Sequence, residues 1–421
     1  MKKSRRFFLK TLAKGIFTFP FIKGVRANYK PRIVIVGSGF GGGTCIRYLE
    51  KFYGTFDVIL IEKSNYYYTC PFSNYVIGGF RPLNHNKFSL DNIKKRGVKV
   101  IIDKVNFIDS EKKIIRFSSK NYISYDWLIL SPGVSFKWDQ IEGYTESVNE
   151  TNPHGWNGRL SGLISQKIDS LDNNSKIIIS APDYPYRCPP APYERASMIA
   201  HRLKNKGYKF KILIFDNKDF FSKQKLFFKA WKTLYPGSIE WIPRKNGGQI
   251  KKFNKDSNEI INSFGERIKA DFINIIPNQK AASIFFKSNL IYKDWCEVNP
   301  TTFELKNNKF IHVIGDSINA WDMPKSAFSA NSQGKVCAEN VKNIILQKEI
   351  LNPVFLNTCY SLASKHYGFS ISSWYKVNSS NDKIVSLGSK ESDIDASLSS
   401  RKEETYQSHG WYETVTNEIF G

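Results

Sequence analysis

Residues Arg32–Phe52 read RIVIVGSGFGGGTCIRYLEKF. Ile33–Val36 is a short, continuous run of β-branched residues, the pattern of a strand buried on both faces. Gly37, Gly39 and Gly42 follow at the spacing G-x-G-x-x-G, and the residues after them have the composition of a helix. The first glycine permits a tight turn, the second lets a pyrophosphate approach the backbone, and the third lets helix and strand pack closely. The phosphates then rest on the helix N-terminus. Glycines alone say little, but a second apolar strand, Val58–Ile61, runs into Glu62, an acid placed to accept hydrogen bonds from a ribose. The segment is read as a dinucleotide site.

Two later turns decide which dinucleotide. Leu128–Leu130 runs into Ser131-Pro132-Gly133, and His312–Ile314 runs into Gly315-Asp316. Flavoproteins with two dinucleotide-binding domains carry such turns, the late aspartate binding the ribityl chain. A chain that leaves its first domain and returns to it fits FAD better than a single-domain NAD dehydrogenase. Gly133, Gly315 and Asp316 therefore join the expected cofactor site.

Between these landmarks Ile177–Ala181 and Phe210–Asp216 repeat the strand rhythm, with Tyr193–Leu203 as the helix between them. This is the outline of an NAD half. Its phosphate loop is expected between Pro182 and Glu194, yet the stretch PDYPYRCPPAPYE holds no glycine. Prolines fix φ and remove N–H donors, so the loop has lost the groups that would cradle a pyrophosphate. The sequence argues against NAD(P)H as reductant. The loop instead aims one thiol, Cys188, in a fixed direction and places Glu194 at the following helix start. A redox thiol directed at a flavin accounts for more of this segment than a structural thiol does.

The fold class expected is α/β, with two Rossmann-like domains of the glutathione-reductase type and a C-terminal α+β interface domain. The expected divisions are a leader at 1–27, FAD-binding segments at 30–147 and 270–345, a pseudo-NAD domain at 148–269 and the interface domain at 346–421. The leader, MKKSRRFFLKTLAKGIFTFPFIKGVRA, fits the twin-arginine export pattern at Ser4–Lys10, and its lysines keep it too polar and too short for a stable span. A periplasmic enzyme exported already folded is expected. The formal charge is +24; eight Lys/Arg and no acid lie in the leader, leaving +16 for the remainder. That charge is spread out rather than gathered with aromatics, so no nucleic-acid groove is read from it.

Six cysteines are present. Cys45 and Cys337 lie in helical sequence and are assigned to the core, and Cys296 is read as a half-buried thiol. Cys70, in YYYTCPFSN, follows Glu62 closely enough to emerge beside a flavin, where a thiol can form a thioether with the ring methyl. Cys188 and Cys359 are claimed by no helix core. A disulfide requires Cα atoms within about 7 Å, which sequence spacing does not establish. No C-x-x-C-H motif occurs, so the chain attaches no c-type haem itself, and the scattered histidines give no metal site.

YYTCPFSNYVIGG, YRCPPAPYERAS, MPKSAFSANSQGK, LNTCYSLA and the closing NEIFG together resemble the flavoprotein subunit of flavocytochrome c sulfide dehydrogenase. The resemblance implies FAD held covalently through Cys70, a redox-active disulfide between Cys188 and Cys359, and Glu194 as a proton acceptor beside it. It also implies a separate c-type cytochrome subunit, usually dihaem, which carries the haem, with sulfide as the small-molecule substrate. Pro71 and Phe72 after Cys70 depart from the family pattern. A sulfide:quinone oxidoreductase shares this fold and chemistry but requires a membrane-inserting apolar C-terminal element, whereas residues 376–407 are rich in Ser, Lys, Glu and Asp. A flavin-bearing electron-transfer or docking protein without sulfide oxidation would require Cys188 and Cys359 to be unpaired.

Overall fold

The computed structural model describes residues 29–156 and 158–421, so the expected leader lies outside the described residues. In chain order the elements that build the site are β1 (Arg32–Val36), α1 (Phe40–Leu49), β2 (Asp57–Glu62), β3 (Lys99–Ile102), β4 (Trp127–Leu130), β5 (Ser175–Ala181), α2 (Ala191–Asn205), β6 (Phe210–Asp216), α3 (Gln224–Leu234) and β7 (Ile239–Ile242). They continue with β8 (Phe272–Asn274), β9 (Glu304–Leu305), β10 (Asn308–Val313), α4 (Ala327–Ile345), β11 (Val354–Ser364), β12 (Tyr367–Val377), β13 (Ile384–Glu391) and α5 (Leu398–Phe420).

The first sheet has the order β9-β10-β4-β1-β2-β3. β1 pairs in parallel with β2 on one side (Val34↔Ile59) and with β4 on the other (Val34↔Leu128). Ile33, Val34 and Ile35 are wholly buried, as an apolar strand covered on both faces requires. β10 pairs in parallel with β4, so the chain returns to this sheet after building the second one.

The second sheet runs β7-β6-β5-β8, with all its pairs parallel. Its last strand, β8, lies beyond the expected division at residue 269 because Ile177 pairs with Phe272. α2 begins two residues earlier than the sequence reading, directly after Pro190 as N-cap and with proline in its first turn, where a missing N–H costs nothing.

β11, β12 and β13 form an antiparallel sheet, and α5 lies against β12. From there α5 reaches back to the first sheet: Trp411 stacks on Phe40 of α1 with ring centroids 6.2 Å apart. Cys45 and Cys337 are fully buried between α1 and α4, and the Cys45 thiol donates to the Gly334 carbonyl at 3.1 Å. Cys296 corrects the sequence reading: it is fully buried rather than half-buried. Its backbone donates to Ser317 O at 3.0 Å, which draws a polar-looking segment under the Gly315–Ser317 turn.

Candidate active site

The glycine loop, the Ser131–Gly133 turn and the Gly315–Asp316 turn come together at the C-terminal ends of β1, β4 and β10. Gly37 has φ +96°, open to glycine but costly for a residue with a Cβ, and a Cβ there would lie 2.5 Å from Ser131 O. A Cβ on Gly42 would collide with the Gly37 carbonyl, so helix α1 seats on its strand only with glycine. Gly39 is the N-cap of α1 with extended backbone and no side-chain cap, which leaves first-turn N–H groups available to an anion. Gly42 N donates to Ser131 Oγ at 3.1 Å, and Ser317 Oγ donates to Gly133 O. Glu62 Oε2 accepts from Ser38 N and Ser38 Oγ at 2.9 and 2.8 Å, holding the acid against the loop.

The residues fit FAD. Asp316 Oδ1 is buried with no hydrogen-bond partner, an acceptor that a polyol hydroxyl would satisfy. Burial raises its carboxyl above the usual range, opposed by Arg187 and Lys325. Tyr67, from the YYYTC segment, stands over the glycine loop, its hydroxyl 3.0 Å from where a Gly39 Cβ would be. The same segment delivers Cys70, whose thiol donates to Trp156 O at 3.1 Å.

A cavity of about 100 Å³ is lined by Cys70, Asn74, Trp156, Cys188, Glu194 and Cys359, among others. The fold thus brings together three cysteines and a glutamate from three separated segments. Cys188 and Cys359 are free thiols here, with no bond between them. Cys188 holds a left-handed backbone (φ 58°), a conformation that costs a non-glycine residue roughly 1–3 kcal/mol. It is pinned by Cys188 N donating to Lys325 O at 2.8 Å and by Ala191 N donating to Cys188 O at 3.0 Å. Burial pushes the Cys188 thiol well above its ordinary value, with the neighbouring Cys359 and Glu194 adding to the effect. Burial raises Cys359 as well, and Lys223 opposes that rise.

Glu194 Oε2 accepts from Asn74 Nδ2 at 2.7 Å, and Glu194 Oε1 accepts from Leu362 N at 3.0 Å. Burial raises its carboxyl above the usual range despite these bonds. A carboxylate raised in this way, beside two thiols, is suited to exchange protons with them.

Several residues of the site were not singled out in the sequence. Arg187 donates to the Trp156 carbonyl and lies 3.9 Å from Asp316, while Trp156 Nε1 donates back to Arg187 O at 2.8 Å, locking the thiol loop to Trp156, whose carbonyl also accepts from the Cys70 thiol. Arg195, almost wholly buried, donates to Asn74 Oδ1, His154 O and Asn274 Oδ1. Lys325 is buried with its ammonium on Asp316 O and Ile318 O, and burial lowers it to about 8. Arg187 and Arg195 flank Cys188 in YRCPPAPYER and Lys325 lies in MPKSAFSAN, so proximity to the motifs was their only signal. Lys223, discussed below, had none.

In the second sheet Asp216, at the end of β6, occupies the place of a ribose-binding acid. Its Oδ1 accepts from Lys218 at 2.5 Å, and its Oδ2 from Tyr193 at 2.6 Å and Trp241 at 2.7 Å. Lys218 is also ringed by Tyr184, Tyr186 and Tyr193, within 5.0–5.5 Å of each ring centroid. The protein's own side chains occupy the acid that a nicotinamide dinucleotide would need.

Two Rossmann-like sheets, a glycine cradle on one of them and an antiparallel C-terminal sheet define a flavoprotein of the two-dinucleotide-domain class. Residues 31–157 match the pyridine nucleotide-disulphide oxidoreductase family model. Residues 161–277 match the central region of the sulfide dehydrogenase (flavocytochrome c) flavoprotein chain, and 351–420 match the flavin-binding region of flavocytochrome c sulphide dehydrogenase. A stretch of 45 residues is 47% identical to the sulfide dehydrogenase (flavocytochrome c) flavoprotein chain of Chlorobaculum thiosulfatiphilum, covering 94% of that sequence and 11% of this one. The mitochondrial sulfide:quinone oxidoreductase of Dictyostelium discoideum is 26% identical over 367 residues, 81% of this chain and 78% of that protein. The solved structure of the sulfide:quinone oxidoreductase from Aquifex aeolicus shares the fold with a TM-score of 0.71 at 16% identity, covering 93% of this chain and 92% of that one. The chain belongs to the family of flavocytochrome c sulfide dehydrogenase flavoprotein chains.

Proposed function

We propose that the protein is a periplasmic, FAD-dependent sulfide:cytochrome c oxidoreductase, exported folded by the twin-arginine route. The observation that carries the reading is the convergence of Cys70, Cys188, Glu194 and Cys359 on one cavity. Gly37, Gly39, Gly42 and Glu62 would hold the dinucleotide, Gly133, Gly315 and Asp316 its flavin-proximal half, and Cys70 the thioether. When bound, FAD supplies the conversion between the electron pair taken from sulfide and the single electrons a haem accepts.

Cys188 and Cys359 in their oxidised form would be joined as a disulfide, which hydrosulfide opens to a persulfide and a thiolate. Glu194 takes the proton that a protonated sulfide or thiol must release, since its raised carboxyl lies closer to working pH than an ordinary one. Trp156, Arg187 and Arg195 brace the segments around the thiols through their hydrogen bonds. Sulfur leaves as polysulfide or elemental sulfur, and the electrons go to a c-type, dihaem partner.

Cys188→Ser is the deciding variant. The protein should stay soluble and keep its FAD, while sulfide-dependent bleaching of the flavin is lost; normal bleaching would refute the disulfide chemistry. The acid-precipitated wild-type protein should retain flavin fluorescence in the pellet, and flavin that washes out entirely excludes the Cys70 thioether. A quinone acceptor is the second reading, supported by the likeness to quinone-named relatives. Among the described residues no helix is long and apolar enough to cross a membrane. Faster reduction of a soluble quinone than of cytochrome c by the sulfide-treated enzyme would favour that reading.

A further inference from the structure

Lys223 is 2% exposed, although it is the N-cap of α3 and ends a loop, NKDFFSK, that carries two other charged residues. Its backbone is left-handed, φ 60°, which turns the side chain inward. Lys218, also buried, has Asp216 at 2.5 Å as its counter-ion. Lys223 has no carboxylate at ion-pair distance among the described residues. Its ammonium donates to the Cys359 carbonyl and lies 5.8 Å from the Phe369 ring centroid. Its charge reaches the buried Glu194 without forming an ion pair, and a buried ammonium that lacks an ion-pair partner is costly, so an anion formed beside it is stabilised.

Other charged or titratable groups also face the thiol pair. Glu194 and Arg195 come from α2, Cys70 from the YYYTC segment and Tyr375 from β12, with Asp322 beside Tyr375. Arg187 also faces Cys188, as Arg195 does. Lys223 opposes the burial that raises both thiols, and on Cys359 it acts through a hydrogen bond as well as through its charge.

We propose that Lys223 is a positioning cation that holds Cys359 as a thiolate when the Cys188–Cys359 disulfide opens, so that Cys359 is the leaving sulfur and Cys188 the one that receives the substrate sulfur. The inference rests on the disulfide reading above. In the step it describes, hydrosulfide forms a new S–S bond to Cys188 Sγ and keeps its own proton. The Cys188–Cys359 bond breaks, and its electron pair goes to Cys359 Sγ. One negative charge enters and one remains, now opposite Lys223. The sulfur with the lower proton affinity leaves faster, which gives the opening its direction.

The test uses the reduced full-length holoprotein and iodoacetamide, with alkylation of Cys188 and Cys359 followed separately by peptide mass spectrometry across a pH series. In the wild type Cys359 should react before Cys188. Lys223→Met should slow Cys359 about tenfold near neutral pH and move its midpoint up by about one unit, with Lys223→Arg restoring most of the rate. An unchanged Cys359 profile in a Lys223→Met protein with native melting overturns the proposal. So does a wild type in which Cys188 reacts first, a comparison that stands even if Lys223→Met does not fold. Sulfide takes no part in this assay, so a failure of the Cys188→Ser test would remove the sulfide reading and leave the Lys223–Cys359 pairing to be judged separately.

Discussion

At the scale of single residues the site is governed by burial. Two thiols and a carboxylate are held where water is scarce, and each is raised toward its neutral form. Glu194 shows the consequence most directly. Its folded-state carboxyl is raised, so the native protein binds that proton more tightly than the unfolded chain does. The stability this confers is complete below the ordinary carboxylate value of 4.5 and is lost as pH rises through the raised value. For a base the order is reversed: sulfide-dependent reduction should climb as pH passes through that same raised value and Glu194 becomes able to accept a proton. Glu194→Gln should lower the rate about 10²-fold and flatten that limb of the pH profile. It should also remove the matching slope from a stability-versus-pH curve. A profile of unchanged shape in the glutamine variant would show that another group titrates.

At the scale of elements, the strand–turn–helix of β1 and α1 carries the tightest packing constraint. Gly42→Ala should force α1 off its strand, because the added methyl meets a backbone carbonyl that has no room to move. Such overpacking costs roughly 1–3 kcal/mol. The expected outcome is a lower melting temperature together with loss of the bound-flavin absorbance, and a variant that keeps both would show that the loop yields. This element was legible in the sequence because its signal is local: β-branched residues for the strand, and glycines where a side chain cannot fit. The helix after the thiol loop was legible too, though its start was read at Tyr193 and lies at Ala191, where Pro190 as N-cap and Pro192 in the first turn allow it. Cys296 was misread because its neighbours are polar while its burial comes from a backbone pairing with Ser317 and Ile318 that no local pattern announces. Lys223 was missed for the same reason, since its partner Cys359 lies 136 residues further on and nothing near Lys223 distinguishes it from a solvated lysine.

At the scale of the whole molecule, the site exists only once the chain is fully folded. The cradle needs Gly37–Gly42 from the first sheet, Gly133 from β4 and Asp316 from the strand that returns to that sheet after the second one is built. The thiol cavity adds Cys188 from the loop after β5, Cys359 from β11 and Trp411 from the final helix. α5 also closes on α1, where a Cβ on Gly43 would strike Ile419, two residues from the C-terminus. A partly made or unfolded chain therefore offers FAD no complete site. On the proposed periplasmic reading, export after folding would deliver this site complete, and Arg5 and Arg6 are proposed to direct the chain to such a route. Replacing both by lysine should leave flavin-loaded, folded protein in the cytoplasm, with its bound-flavin spectrum and melting temperature matching those of the exported form. Periplasmic holoprotein at wild-type levels would sink this reading. Exported apoprotein that takes up FAD only after transport would show that folding and loading do not precede export.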